Sequence, residues 1–479
     1  MPRYDAVVVG GGHNGLVAAL TLALHGARVA LVEARDQLGG LSSDGLSLGV
    51  RYPRVAYALG LFPEGLARFL GVNLGAYTVL AEPSWVVVDA SSGETIFRWW
   101  TSFDALMQEF VERGLPQSEA RAFVSLLDSW RRCSGEVIFS VRPPSLEEAS
   151  EVLSRCGGEQ LGSVFRKRFE KGLGQLLPRD LWGLVTYPGY ESEPGAASLL
   201  HIWNGGVWRQ IPGGWAPLLL DLEEKARRSG VDIFKGLGPA GIMVKGERVK
   251  GVRIGKRVFE ADRVIYSGSI VALPEALGDS KDVLGSEVLR EIDRISRTSL
   301  VADRLNIFTS CKPEPFYRAG GRPSLVEVWG RGYWFEAAYP TLHPEGRDSL
   351  SRRHVVALTG LFGGADPYEI LNAAGVSCVD RVESIDKHVL AMEFLNSSGN
   401  PNHVPLNDGR ILDRRPFEGW SDYTTPVEGL YHGSASSHPG GQVSGVPGHN
   451  AAVRLLVDAG VSLGALLQKS SLKSYMHSK

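Results

Sequence analysis

Six residues near the start of the chain, Gly10-Gly11-Gly12-His13-Asn14-Gly15, carry the pattern G-x-G-x-x-G, and a carboxylate, Glu33, follows 18 residues after Gly15. Together they suit a dinucleotide. Gly10 allows a tight turn, Gly12 lets the main chain approach a pyrophosphate, and Gly15 lets a helix pack close to the preceding strand. A helix that starts here offers unpaired N–H groups and a partial positive charge to the phosphates. Glu33 can accept hydrogen bonds from the adenosine ribose hydroxyls, and its charge repels a 2′-phosphate, which disfavours NADP.

The flanking elements are those such a turn needs. Ala6-Val7-Val8-Val9 is a short apolar run of the kind found in strands buried on both faces. Leu16, Ala19, Leu20 and Ala23 recur at helical spacing, and Gly26 closes that helix. Val29-Ala30-Leu31-Val32 then forms a second strand that ends at Glu33.

Composition narrows the class. Apolar residues make up 43% of the 479 residues and charged residues 22%, ordinary values for a globular protein with a large core. The net charge of −2, with signs mixed along the chain, argues against a nucleic-acid partner. Cys133, Cys156, Cys311 and Cys378 form no C-x-x-C pair, so neither a zinc knuckle nor a dithiol redox motif is visible; reduced thiols in an intracellular protein are expected. No signal peptide is recognised, and His25-Gly26 and Arg28 interrupt the apolar stretch Leu16 to Val32. The expectation is a cytoplasmic protein, with peripheral membrane contact left open.

Further along, Trp85 to Val88 and Thr95 to Trp100 read as strands, and residues 103–132 and 145–186 as helices. Residues 201–215 combine glycine pairs, Gly205-Gly206 and Gly213-Gly214, with Trp203, Trp208 and Trp215. A helix from Leu218 precedes the strand Val231 to Phe234, a hairpin turning at residues 245–248, and a buried strand around Val264-Ile265-Tyr266. Trp329 to Tyr339 and Val355 to Phe362 read as strands, and Val379 to Phe394 as a helix. Near the C-terminus come a strand at Leu430-Tyr431-His432, a small-residue loop, and a helix beginning near Pro447. That second helix start, in a glycine-rich setting, could stabilise negative charge.

The segment Glu33-Ala34-Arg35-Asp36-Gln37-Leu38-Gly39-Gly40-Leu41 resembles the acid, arginine and double-glycine stretch of many FAD-binding oxidoreductases. With Gly10 to Leu16, Tyr57 to Leu61, Gly205-Gly206 to Gly213-Gly214, and His438-Pro439-Gly440-Gly441 through Gly445, Gly448 and Asn450-Ala451-Ala452, the chain resembles phytoene-desaturase-like FAD oxidoreductases, a branch of the amine-oxidase-like flavoproteins. The resemblance implies an α/β fold: an FAD-binding, Rossmann-like, doubly wound parallel-sheet domain interleaved with a mixed α+β substrate domain. The implied division is 1–76, 201–275 and 406–479 for FAD, and 77–200 and 276–405 for substrate.

The resemblance also implies one FAD per chain. Its implied contacts are Gly10, Gly12, His13, Asn14, Gly15, Glu33, Ala34, Arg35, Gly39, Gly40, Leu41, Pro239, Ser434, Gly440, Gly441, Gln442 and Val443. His438 is the candidate catalytic residue nearest the flavin ring; the alternative is a histidine that only steadies its loop. Two departures stand out. Pro239 falls where the family has valine contacting the adenine, and proline lacks the N–H. Ser434-Ala435-Ser436 replaces a Gly-x-Gly, and its side chains could crowd the cofactor or bond to it.

The expected activity is hydride transfer from a hydrophobic substrate to flavin N5, with reoxidation by a quinone or oxygen. One alternative is a flavin amine oxidase, with Trp215, Trp334 and Tyr431 guiding the amine. Another is a non-catalytic lipid-binding protein without FAD, like the Rab GDP-dissociation inhibitors. Only one complete fingerprint occurs, so bound NAD is not expected.

Overall fold

The computed structural model describes residues 3–155, 208–298, 302–314, 323–342, 352–395, 399–405, 410–441 and 443–469. The glycine pair Gly205-Gly206, Gln442 and most of the 145–186 stretch lie outside the described residues.

In chain order the main elements begin with β1 (Ala6–Val9), α1 (His13–Leu24), β2 (Val29–Val32), β3 (Trp85–Asp89) and β4 (Thr95–Trp99). Helices α2 (Phe103–Glu112), α3 (Gln117–Ile138), α4 (Leu146–Arg155) and α5 (Ala216–Arg228) follow. Next are β5 (Asp232–Phe234), β6 (Gly241–Lys245), β7 (Arg248–Ile254), β8 (Arg257–Glu260), β9 (Val264–Tyr266) and α6 (Ser286–Thr298). The last third holds β10 (Asp303–Thr309), β11 (Leu325–Gly330), β12 (Tyr333–Ala338), β13 (His354–Leu361), α7 (Pro367–Ala373), β14 (Arg381–Ile385), α8 (Lys387–Phe394), β15 (Leu430–His432) and α9 (Val446–Asp458).

Two large sheets divide these strands. The first has five parallel strands in the order β15-β9-β1-β2-β5. All four residues of β1 and of β2 are buried, as their unbroken apolar runs require. Helix α1 is buried from Asn14 to Ala23 because it is covered on two sides, by α5 and by α9. A Cβ on Gly448 of α9 would lie 1.9 Å from the Asn14 carbonyl oxygen, so this helix crossing depends on glycine. Strands β6, β7 and β8 form a small antiparallel sheet beside the parallel one.

The second sheet has seven strands in the order β14-β10-β13-β12-β11-β3-β4. All its pairs are antiparallel except β11 with β3. Its strands come from residues 85–99 and 303–385, between the segments that build the parallel sheet. The architecture is thus α/β, a doubly wound parallel sheet interleaved with a mixed α+β layer.

Three expectations need correction. The expected strand Trp329 to Tyr339 is a hairpin, β11 and β12, turning at Arg331-Gly332 with Gly332 at φ +82°. The expected helix Val379 to Phe394 begins as strand β14, held by β10, and becomes helical only at Lys387, where the Asp386 side chain accepts from the Val389 N–H at 2.9 Å. The three described cysteines are not reduced: Cys311 and Cys378 form a disulfide, and Cys133 is disulfide-bonded as well. Phe308 pairs with Arg381 in the β10–β14 ladder, and three further residues along each chain bring Cys311 and Cys378 opposite one another, with Cα atoms 5.8 Å apart. That distance suits a disulfide. A partner 67 residues away is set by register, which the spacing of cysteines does not reveal. Among the described residues no helix is long and apolar enough to cross a membrane.

Candidate active site

A cavity of about 820 Å³ opens at the carboxyl ends of β1, β2 and β9, the edge where parallel sheets take their ligands. Gly10, at φ +100°, makes the turn out of β1. Gly12 is the N-cap of α1, and no side chain caps that helix, so its first amides keep their donors. A Cβ on Gly12 would have nothing closer than 4.0 Å, so the protein's own packing leaves that space open. A Cβ on Gly15 would lie 1.9 Å from the Gly10 carbonyl oxygen, so Gly15 serves the contact between helix and strand and does not line the cavity.

Glu33 lies on the cavity wall past the end of β2. Its carboxylate accepts from the Gly11 N–H at 2.6 Å and from the Arg35 N–H at 2.8 Å. Burial raises its pKa, and these main-chain donors work against that rise by favouring the ionised form. The loop beyond folds back onto the glycine turn: the Gly39 N–H donates to the Gly11 carbonyl at 2.8 Å. Gly39 and Gly40 sit at φ +109° and +57°, which keeps that loop flat against Gly12. Ala34, Arg35 and Leu41 also line the cavity, with the Arg35 guanidinium 4.6 Å from the Phe394 ring centre. Pro239 lines it next to Ala240 and Gly241; the Gly238 N–H just before it donates to the Ala34 carbonyl at 3.0 Å.

His13 and Asn14 line the cavity with polar atoms that find no partner among the described residues: His13 Nε2 and Asn14 Oδ1. Burial pushes His13 down to about 4, so it is neutral at pH 7. The unpartnered His13 Nε2, an uncapped helix start and unfilled space over Gly12 together fit the diphosphate of FAD.

The C-terminal loop contributes less than expected. Val443 lines the cavity, whereas Gly440, Gly441 and Ser434 do not. The Ser434 hydroxyl sits 3.3 Å from His403 Nδ1 and accepts from the Ser436 N–H, while the Ser436 hydroxyl accepts from the Ile270 N–H at 2.9 Å. Both serines therefore face protein, and only Ala435 between them reaches the cavity. Gly441 abuts Asn402. His438 is fully buried and does not line the cavity; its Nε2 lies 2.9 Å from the Val137 carbonyl on α3. The histidines on the cavity wall are His13 and His403, and burial pushes His403 down to about 3. Trp215, Trp334 and Tyr431 do not line the cavity either; Tyr57 and Trp208 are its aromatic residues beside the mixed sheet.

The mixed sheet supplies a group of residues that sequence reading missed. Arg304, Glu336 and Thr359 line the cavity from three strands. Arg304 pairs across the ladder with Thr359, Thr359 with Glu336, and Glu336 with Glu327, forming one polar row across four strands. Tyr57 donates its hydroxyl to Glu336. The Arg304 guanidinium sits 4.5 Å from the Tyr57 ring centre and donates to the Arg54 carbonyl at 2.8 Å and to the Thr359 hydroxyl at 3.1 Å. Burial raises Glu336 to about 7, with Tyr57 and Arg304 pulling the other way.

The FAD-dependent oxidoreductase family model matches residues 5–70, which hold the glycine turn, Glu33 and the double glycine. The mouse pyridine nucleotide-disulfide oxidoreductase domain-containing protein 2 is 24% identical, aligned over 94% of this chain and 93% of its own. The hydroxyneurosporene desaturase of Cereibacter sphaeroides is 29% identical over 62% of this chain and 61% of its own. The chain is an FAD-dependent oxidoreductase. The fold of this oxidoreductase is shared with the cyclohexylamine oxidase of Brevibacterium oxydans, at a TM-score of 0.53 and 16% identity, covering 96% of this chain and all of that one.

Proposed function

We propose that this oxidoreductase removes a hydride from a carbon of a small, largely apolar substrate, with FAD lying along the cavity from Glu33 to the mixed sheet. One observation carries the reading: the space over Gly12, at the uncapped start of α1, with the Glu33 carboxylate at its far side. In this reading the amides of α1 hold the diphosphate. Glu33 holds the ribose, and Pro239 with Ala240 flanks the adenine. Arg35 braces the 39–40 loop through its bond to the Gly40 carbonyl. Bound FAD supplies the two-electron acceptor, flavin N5. Val55, Ala56 and Ala58 with Trp208 offer apolar walls that keep water from the reacting carbon. A quinone or oxygen reoxidises the cofactor, and a cytoplasmic setting with peripheral membrane contact suits an apolar substrate.

The visible absorption spectrum of the purified protein tests this. A flavin band that survives desalting supports the reading; a colourless protein that takes up no added FAD overturns it. A second reading, oxidation of an amine, draws support from Tyr57 and Trp208, two aromatic side chains on the cavity wall. Peroxide release with simple amines would favour it over carbon–carbon desaturation.

A further inference from the structure

Removing a hydride from a substrate leaves a proton to be taken from the neighbouring atom, and the hydride reading names no group that receives it. The ionisable groups on the cavity wall narrow the choice. Glu33 is at the adenosine end, bonded to two main-chain amides. Glu275 stands exposed on the short helix Leu273–Leu277. His13 and His403 are half-buried, and desolvation holds both far below the usual imidazole range, so neither holds an added proton at pH 7. Glu336 is 4% exposed, lies on the wall beside Tyr57 and Trp208, and stands next to a second buried carboxyl.

That neighbour is Glu327, directly opposite Glu336 on β11. Residues directly opposite on paired strands hold their Cβ atoms roughly 4.5–5.5 Å apart. Glu327 is 1% exposed, and neither of its carboxyl oxygens has a partner among the described residues. Two buried carboxyls this close do not both ionise, because each charge opposes the other and burial opposes both. Glu327, without the guanidinium or the phenol, keeps its proton. Glu336 has Arg304 from β10 and the Tyr57 hydroxyl from the loop before Ala58, so it is the member that ionises. Arg304 and ionised Glu336 also leave the row without net charge.

We propose that Glu336 is the proton acceptor for substrate oxidation, oriented by Tyr57 and backed by the neutral carboxyl of Glu327. This rests on the hydride reading. The electron pair of the substrate C–H bond leaves as hydride to bound FAD, which is reduced by two electrons. The proton on the adjacent atom passes to the Glu336 carboxylate. The pair left behind by that proton becomes the new double bond of the oxidised product. The substrate therefore carries a proton-bearing atom, a nitrogen, an oxygen or an acidified carbon, next to the carbon it oxidises. Tyr57 and Glu327 are positioning residues, since only Glu336 takes the proton.

Carbon-13 NMR of protein labelled at glutamate carboxyls, with FAD bound, tests the proposal. One carboxyl is expected to titrate with a midpoint near 7 and to vanish in Glu336→Gln. Tyr57→Phe, which keeps the ring, is expected to shift that midpoint upward, because the lost hydroxyl stabilised the ionised form. The visible band of bound FAD is expected to shift with the same midpoint in the wild type and to lose that shift in Glu336→Gln. A Glu336 midpoint near the ordinary ~4.3, or a flavin band indifferent to Glu336→Gln, overturns the proposal. Failure to bind FAD instead faults the hydride reading, and the carboxyl titration then tests Glu336 on its own.

Discussion

At the scale of single residues, Gly12 and Gly15 belong to one motif but answer to different neighbours. Gly12 has φ −63° and ψ 170°, ordinary extended backbone, with open space where a side chain would go. Gly12→Val should therefore fold with a melting temperature near that of the wild type and lose FAD affinity by at least ~100-fold, about 2.7 kcal/mol, measured by flavin fluorescence titration. Gly15→Ala should do the reverse in part. Its methyl would meet the Gly10 carbonyl at 1.9 Å, so overpacking should cost about 1–3 kcal/mol in denaturant unfolding. Normal flavin content in Gly12→Val would remove the diphosphate from this turn. These glycines were legible because turn, helix and acid follow one another within 28 residues, from Ala6 to Glu33. Glu336 was not legible. A single acid in an aromatic strand reads as a solvent-facing residue, and only the pairing of β10, β11, β12 and β13 shows that its row faces inward. His438 drew attention through its loop, yet the imidazole turns to Val137, while His403, in an unremarked turn, reaches the cavity.

At the scale of elements, local signals gave what local physics decides. The apolar runs of β1 and β2, the helix after Gly12 and the hairpin of β6 and β7 all match their sequence patterns. The misreadings fall where pairing overrides pattern. Arg381-Val382-Glu383-Ser384-Ile385 has too few apolar residues to declare a strand, and β10 supplies the ladder that makes it one. The same ladder sets Cys311 against Cys378, which ties the edge strand β14 to the sheet beyond its last paired residue. A cross-link closing 67 residues constrains the unfolded chain strongly. Cys378→Ser should lower stability by about 2–4 kcal/mol in chemical denaturation. Reductant should lower the wild-type melting temperature more than that of the variant. Equal sensitivity of the two to reductant would mean this bond contributes nothing to the fold.

At the scale of the whole molecule, buried ionisable groups of two kinds set the pH dependence of stability. His13, His432 and His438 are held at about 4, and His403 and His449 at about 3, by burial. Between those values and the unfolded ~6.5 the unfolded chain binds more protons at these sites, so they make stability rise with pH and then go flat. The carboxyls act in the opposite sense. Burial raises Asp44 to about 6 and Glu336 to about 7, and raises Glu33 and Glu327 as well. From the unfolded ~4 upward the native state binds more protons at these four, so they make stability fall as pH rises. The two sets oppose each other between ~4.5 and ~6, and the melting temperature of the FAD-free protein should change little there. Above ~6.5 the histidines no longer contribute, while Glu336 and Glu327 still hold protons that the unfolded chain has released, so stability should decline through neutral pH. Replacing both by glutamine should abolish that decline and leave a rise with pH up to ~6.5, because the remaining balance then favours the histidines. Thermal melts of the double variant that still fall between pH ~6.5 and ~8 would show that other groups, not this buried pair, carry the neutral-pH dependence.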